Sequence, residues 1–311
     1  MSTGTHHWAH IGEAGFVGGM RFLVWTYRCF GRLPFRIALY PVLGYFFLVR
    51  GVARRASLEY LRRLQQIHAP FAGKPGLALA WRHFLSFADA LLDKVLAMGG
   101  AFTLDQISMR GQDKVVPLLD AGRGAVMLTA HLGNLEVCQA LAELQPKLKL
   151  NVLVHRRNAE MFNRLLERQG ASRVRLLEVS EITPATAMEL DRRIAAGEML
   201  VIAADRLTPG SARRSLAVPF LAAPAAFPQG PFILAGLLRC PVFTVFCTRR
   251  DGRYHIDFDL LAERIERVRG APDAGLTPWI ARFCRARRAQ CVQAPLQWFN
   301  FYPFWAPTNE P

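Results

Sequence analysis

A histidine and a glutamate five positions apart, His131 and Glu136, are the residues whose types and spacing best suit catalysis. A carboxylate that accepts a hydrogen bond from one imidazole nitrogen fixes the tautomer and makes the other nitrogen a better base. Such a base can take the proton of a hydroxyl nucleophile. The same spacing also occurs around structural histidines, so the surrounding elements must decide between the two interpretations.

Those elements favour an active site. The apolar run Ala125–Thr129 predicts a buried strand, and a helix is expected over Asn134–Glu143. His131 therefore lies just past the carboxyl end of a strand, where open α/β sheets bind their ligands. Gly133 allows a tight turn, and Asn134 is the predicted N-cap of the helix that carries Glu136.

The chain from about residue 102 alternates short apolar runs with helical segments. This order predicts an α/β fold with a mainly parallel central sheet flanked by helices. The further predicted strands are Asn151–His155, Val174–Val179, Met199–Ala203, Pro241–Cys247 and Tyr254–Leu260. The further predicted helices are Ser57–Ile67, Trp81–Leu96, Lys114–Ala121, Met161–Gln169, Thr186–Ala196, Phe227–Leu238 and Leu276–Ala289.

The N-terminal part has a different character. Ile37–Val49 is apolar but shorter than the ~20 residues of a straight membrane span. With the amphipathic stretch Met20–Phe30 it predicts a helical hairpin that lies on or dips into a bilayer, flanked by arginines that suit anionic head groups. A buried core hairpin is the alternative. We therefore expect a membrane-associating region over residues 1–68 and an α/β domain over residues 69–311.

Composition limits the partners. Hydrophobic residues make up 51% of the 311-residue chain, and the formal net charge is +15. This charge favours anionic partners, and the apolar content favours lipid over nucleic acid, for which no known module is present. The six cysteines lack C-x-x-C spacing, which indicates buried free thiols. The clustered His6, His7 and His10 lack a second ligand group, so neither a metal nor an organic cofactor is expected.

Several motifs resemble one enzyme family in order along the chain. The segment HLGNLE, from His131 to Glu136, resembles the H-x4-D/E motif of the lysophospholipid acyltransferase superfamily, especially its branch of bacterial lipid A late acyltransferases. Three N-terminal blocks resemble a subgroup of predicted acyltransferases linked to glycolipid and aryl-polyene pathways, namely His7-Trp8, Glu13-x-Gly15 and Ala56-Ser57-x-Glu59-Tyr60-Leu61. The other matching blocks are Val154–Asn158, Ala204–Arg206, Val218–Leu221 with Pro224-Ala225, and Ala294–Phe301.

The resemblance implies a mechanism. His131, oriented by Glu136, would be the general base on an acceptor hydroxyl that attacks an acyl thioester. The Gly133 N–H or a nearby arginine would stabilise the oxyanion, with Arg156 and then Arg206 as the arginines, which could instead grip a phosphate. Asn134 and Asp205 complete the expected binding site, Asp205 orienting Arg206 or the acceptor.

The sequence departs from the lipid A branch at two places. Arg206 stands where that branch usually has glutamine, and Ala222 or Ala223 stands where a glycine is common. Both positions lie near the expected acceptor or acyl pocket, so the departures concern the acceptor more than the acyl-transfer chemistry.

The resulting hypothesis is a membrane-associated O-acyltransferase on the cytoplasmic face of the inner membrane. The donor would be an acyl-carrier protein or acyl-CoA thioester, and the acceptor a lipid or glycolipid hydroxyl. Two alternatives stay open at this point: a non-catalytic lipid-binding or membrane scaffold protein, and acyl transfer to an amine.

Overall fold

The computed structural model describes residues 31–98, 107–142, 147–154, 173–178, 183–207, 214–266 and 272–305, together with residues 29, 103 and 145. The helices in these ranges are α1 Arg32–Val49, α2 Gly51–His68, α3 Leu77–Met98, α4 Gln112–Asp120, α5 Leu135–Ala142, α6 Pro184–Ala195, α7 Gly230–Leu238 and α8 Pro272–Gln293. The strands are β1 Ile107–Arg110, β2 Ala125–Thr129, β3 Leu150–Val154, β4 Val174–Glu178, β5 Met199–Ala203, β6 Ser215–Phe220, β7 Ala223–Pro228, β8 Val242–Arg250 and β9 Arg253–Ala262.

A seven-stranded sheet with the order β1-β9-β8-β2-β5-β3-β4 forms the centre of the described structure. Strands β8, β2, β5, β3 and β4 run parallel to one another. Strand β9 turns back antiparallel to β8, and β1 pairs parallel to β9. The prediction of a mainly parallel sheet flanked by helices is confirmed, and β2 and β5 have the predicted bounds.

Both faces of this sheet are covered. Along β2, Val126 and Leu128 pack into one apolar core, whereas Ala125 and Met127 pack into a second core on the opposite face. Alternate residues of a strand point to opposite faces, so a strand between two cores must be apolar throughout. The five residues of β2 are accordingly all buried.

One predicted helix was wrong in its first part. Phe227 belongs to strand β7, which forms a separate antiparallel hairpin with β6, and helix α7 begins only at Gly230. The turn of this hairpin is made by Leu221 and Ala222, which have φ angles of 49° and 61°. Ala222 thus occupies a left-handed conformation that glycine adopts more easily. The apolar segments on either side of this turn are the strands β6 and β7, which pair through backbone hydrogen bonds.

The N-terminal helices pack on the domain. Leu39 and Leu43 of α1 are buried against α3, and Tyr60, Leu61 and Leu64 of α2 are fully buried in the main core. Ile37–Val49, one arm of the predicted hairpin, lies within α1. The other predicted arm, Met20–Phe30, lies outside the described residues except for Cys29. None of the described helices has the length and apolar character needed to cross a membrane.

The outer face of α1 is apolar and open. Its exposed large hydrophobic side chains are Ile37, Tyr40, Val42, Tyr45, Leu48 and Val49. The division into residues 1–68 and 69–311 remains a prediction, although α2 contributes side chains to the same core as β2.

Candidate active site

His131 lies in the turn between β2 and α5, at the carboxyl edge of the five parallel strands. Gly133 closes this turn with a φ angle of +72°, and a Cβ atom there would overlap the carbonyl oxygen of Cys247. Only glycine fits this position without moving the backbone. The turn is therefore held tightly against the end of β8.

The C-terminal segment completes the turn. The N–H of Phe299 donates to the carbonyl oxygen of His131 over 3.1 Å, and Leu132 pairs with Trp298 as an antiparallel bridge. Trp298 is 1% exposed, so its ring packs inside the domain. Two segments that are far apart in sequence thus form one rigid edge of the site.

The imidazole of His131 is oriented by Asp205, which follows β5. The ring Nδ1 lies 2.8 Å from Asp205 Oδ1, and the backbone N–H of His131 donates to Oδ2 over 3.0 Å. A carboxylate accepts, so Nδ1 carries the proton and Nε2 keeps its lone pair. The His131 side chain is 41% exposed while that of Asp205 is 1% exposed. The free nitrogen thus belongs to a ring that solvent and substrate can reach.

Asp205 is ionised in this environment. Burial raises its pKa, but the neighbouring His131, Arg206 and Arg287 outweigh that effect and bring the pKa well below its ordinary value. The indole N–H of Trp298 also points at Oδ2 over 3.5 Å. The carboxylate therefore stays charged at neutral pH and fixed beneath the imidazole.

Glu136 does not occupy the expected place beside His131. Its carboxylate forms an ion pair with the Lys94 ammonium of α3 over 2.5 Å. The expected contact between Glu136 and the imidazole was therefore wrong for this structure, and Asp205 takes that position. The physical reason is topological: β2 and β5 are neighbours in the sheet, so the residues that follow them meet at its edge.

The expected oxyanion donor at Gly133 is also corrected. The Gly133 N–H donates to Gln297 O over 2.8 Å, and the Asn134 N–H donates to Cys247 O over 2.7 Å. Neither N–H is available to a substrate oxygen in this structure. Asn134 is 2% exposed and its side chain donates to Ala90 O over 2.8 Å, so it ties the turn to α3.

Of the two predicted arginines, Arg206 is brought to the site. Its guanidinium donates to Phe299 O over 2.9 Å and lies 5.6 Å from the ring centroid of Tyr302. This placement puts a cation beside the His131–Asp205 pair. Arg156 lies outside the described residues.

A polar cavity of about 310 Å³ adjoins the turn. Gly133 and Asn134 line it together with Asp89 and Asp93 of α3 and Arg249 of β8. The buried Asp93 carboxylate accepts from Arg249 over 3.1 Å and from the hydroxyl of Tyr254 over 2.7 Å. The cavity is thus a charged recess next to the turn that carries His131.

Sequence reasoning missed three charged residues here, namely Lys94, Asp93 and Arg287. For Arg287 a signal existed, because Ile280, Phe283 and Cys284 precede it at helical spacing and Cys291 follows it. That pattern puts Arg287 on the buried stripe of α8, in spite of its arginine neighbours. In the described part of the chain, no group of three or more histidine, cysteine, aspartate or glutamate side chains is arranged to hold a metal ion.

A buried carboxylate that fixes the tautomer of a reachable histidine, at the carboxyl edge of a parallel sheet, is the geometry that general-base chemistry requires. Residues 95–306 match the family model of the bacterial lipid A biosynthesis acyltransferases. The matched region covers more than half of the chain and includes His131, Glu136 and Asp205. The chain therefore belongs to this family and is an acyltransferase of lipid biosynthesis. No match is found among curated proteins.

Proposed function

We propose that this chain is a membrane-associated O-acyltransferase that moves an acyl group from a thioester to a hydroxyl of a lipid or glycolipid acceptor. The observation that carries the proposal is the exposed His131 ring with its Nδ1 on the buried carboxylate of Asp205. Membership of the acyltransferase family supplies the reaction class.

In the proposed step, Nε2 of His131 takes the proton of the acceptor hydroxyl as the oxygen attacks the thioester carbonyl carbon. A tetrahedral intermediate forms with the charge on the former carbonyl oxygen. Its collapse breaks the carbon–sulfur bond, and the proton on Nε2 passes to the leaving thiolate. Asp205 stabilises the imidazolium that exists between the two proton transfers.

Charge on the tetrahedral oxygen needs a donor. Because the N–H groups of Gly133 and Asn134 are engaged, we assign this role to a side chain. Arg206, whose charge acts on Asp205, is one proposal. Arg156 remains the other proposal, for this role or for gripping a phosphate.

The surroundings of the site suit the two substrates. The polar recess beside Gly133 fits the hydroxyl-bearing head of an acceptor, since its lining offers carboxylate, amide and guanidinium groups. The net charge of +15 suits the acidic surface of an acyl-carrier protein or an anionic bilayer, and acyl-CoA is the other proposed donor.

The open face of α1 supports peripheral or re-entrant binding at the cytoplasmic face of the inner membrane. Leu48 is 74% exposed and Tyr45 is 63% exposed, next to the exposed Arg50. Apolar side chains that enter a bilayer beside arginines at its surface are typical of interfacial helices. Exposed positions on this helix therefore serve as variants that test membrane binding separately from catalysis.

The proposal is tested with two variants and two measurements. His131→Ala should lower the rate of acyl transfer by about 10²–10⁴-fold because the general base is lost. It should still sediment with anionic liposomes. The exposed His68 on α2 gives the control, and His68→Ala should keep wild-type transfer.

Leu48→Gln gives the reverse pattern: weaker sedimentation with liposomes, and full transfer to a detergent-solubilised acceptor. Near-normal transfer by folded His131→Ala would contradict the proposed base and favour a lipid-binding scaffold. Mass spectrometry of the product separates ester from amide, and an amide product would identify an N-acyltransferase instead.

A further inference from the structure

Arg287 is a fully buried arginine within the core beneath the active site. Its exposed fraction is 0%, and it lies on α8 among aromatic rings. The centre of its guanidinium is 3.8 Å from the Phe220 ring centroid and 4.7 Å from that of Trp298. Phe227 and Phe304 complete the aromatic surround at 4.8 and 5.1 Å. Such rings attract a cation, but they leave its N–H donors without acceptors.

The charge of this guanidinium faces the carboxylate of Asp205. Among the described residues, the carboxylate within 4 Å is that of Asp205, which Nη1 approaches to 3.9 Å. The three guanidinium nitrogens have no hydrogen-bond partner in the described part of the chain. A buried charge without compensation destabilises the folded state, so we take the Asp205 carboxylate as the group that balances Arg287 in the core.

The thiols and hydroxyls that face this pair are neutral. Burial raises the pKa values of the Cys284 and Cys291 thiols to about 12. Burial also raises the pKa values of the Tyr60 and Tyr302 hydroxyls well above their ordinary value. Besides Arg287, the ionisable groups acting on Asp205 are His131 and Arg206, with the neutral Cys291 thiol next to them.

We propose that Arg287 is a positioning residue that acts on His131 through Asp205: its buried guanidinium keeps the carboxylate ionised and fixed beneath the imidazole. Arg287 does two things in this arrangement. It holds Asp205 from the side opposite the histidine, and it offsets part of the carboxylate charge. The offset limits how strongly Asp205 stabilises the imidazolium.

The catalytic consequence rests on the proposed function, but the electrostatic effect can be measured without substrate. The variant Arg287→Met removes the charge while keeping an unbranched side chain. Because the Asp205 carboxylate then lacks the offset from Arg287, the titration midpoint of the His131 imidazole, followed by NMR, should move to higher pH by about one unit. The acidic limb of the rate profile should move in parallel, with kcat falling by about tenfold and KM little changed. Arg287→Lys should return the midpoint most of the way to its wild-type value. Arg288→Met, which changes the exposed neighbouring arginine, should leave the midpoint unchanged.

The outcomes separate the two proposals. Folded Arg287→Met with the wild-type midpoint overturns this inference, whatever its activity. A shifted midpoint in a protein that transfers no acyl group, even as wild type, supports the electrostatic role and contradicts the proposed function.

If Arg287→Met does not fold, the double variant Asp205→Asn/Arg287→Met decides. It carries no uncompensated charge, so it should fold if Arg287 serves to balance Asp205. A double variant that also fails to fold would assign Arg287 to packing alone and overturn the inference.

Discussion

Two histidines lie on either side of the Trp298 segment, and they have opposite environments. His131 is oriented by an ionised carboxylate and keeps an open face. His83 of α3 is 0% exposed and lies between the Ser57 hydroxyl at 2.9 Å and Trp298 O at 3.0 Å. A carbonyl oxygen only accepts, so Nε2 of His83 donates and Nδ1 accepts from Ser57. Both ring nitrogens of His83 are therefore used by the fold, whereas one nitrogen of His131 is left for chemistry.

The difference shows why His131, and not His83, suits the proposed role of general base. Burial lowers the pKa of His83 to about 4, and its hydrogen bond to Trp298 O only partly opposes this. The ring is thus held neutral and serves as a structural link between α2, α3 and the C-terminal segment. His131 differs through its access to solvent and through the single carboxylate at its Nδ1, so removing that carboxylate should erase much of the distinction.

The largest effect is expected for Asp205→Asn. The substitution turns one carboxylate oxygen of Asp205 into an NH₂ group. Either the backbone N–H or the ring Nδ1–H of His131 then loses its acceptor, and the imidazolium loses its counter-charge. We expect kcat for acyl transfer to fall by about 10²–10³-fold, measured in a thiol-release assay.

Asp257→Asn is the matched control. Asp257 is 2% exposed and accepts from Arg250, Gln290 and Arg110, but it does not contact His131. This variant should lose stability and retain kcat. Comparable losses of kcat in the two variants would mean that Asp205 matters only for folding.

The second expected effect concerns stability and comes from His83. The unfolded chain binds a proton on this histidine below about pH 6.5, whereas the folded chain does so only below about pH 4. The contribution of the neutral His83 ring to the free energy of unfolding is therefore fully present above pH 6.5. It is lost as pH falls toward 4, and the total loss is about 3 kcal/mol. Urea unfolding at a series of pH values measures this slope.

His83→Phe should remove that slope. The variant is less stable at neutral pH, since the Ser57 hydroxyl and Trp298 O lose their partner. Its free energy of unfolding should nevertheless vary less between pH 6.5 and 4 than that of the wild type. An unchanged dependence of the free energy of unfolding on pH would show that groups other than His83 destabilise the protein in acid. The two histidines would then differ less in their ionisation than their environments indicate.

The sequence predicts much of the frame around these histidines. The run AVMLT predicts β2 because every position is apolar, and a strand between two cores needs that. The position of His131 after this strand follows directly. The hairpin of β6 and β7 was not predicted, because its turn residues Leu221 and Ala222 lack the glycine or asparagine that usually marks such turns.

The partner of His131 was harder to predict than its position. Glu136 is near in sequence, whereas Asp205 is 74 residues away and is brought close only by the pairing of β2 with β5. Local spacing carries no information about which strands become neighbours. The same holds for Arg287, whose role depends on a helix that packs under the sheet edge.

The smallest effect is expected for Glu136→Gln, which tests whether the carboxylate near in sequence shares the role of Asp205. In the structure its charge is paired with Lys94, and the side chains of Glu136 and Lys94 are 28% and 33% exposed. Loss of this half-exposed pair should release the Lys94 side chain and lower kcat by about tenfold or less, compared with about 10²–10³-fold for Asp205→Asn. Lys94→Met should have an effect of similar size, because it breaks the same pair from the other side. A loss for Glu136→Gln as large as that for Asp205→Asn, with Lys94→Met nearly active, would mean that Glu136 holds the imidazole during turnover and that the pair with Lys94 belongs to the substrate-free state.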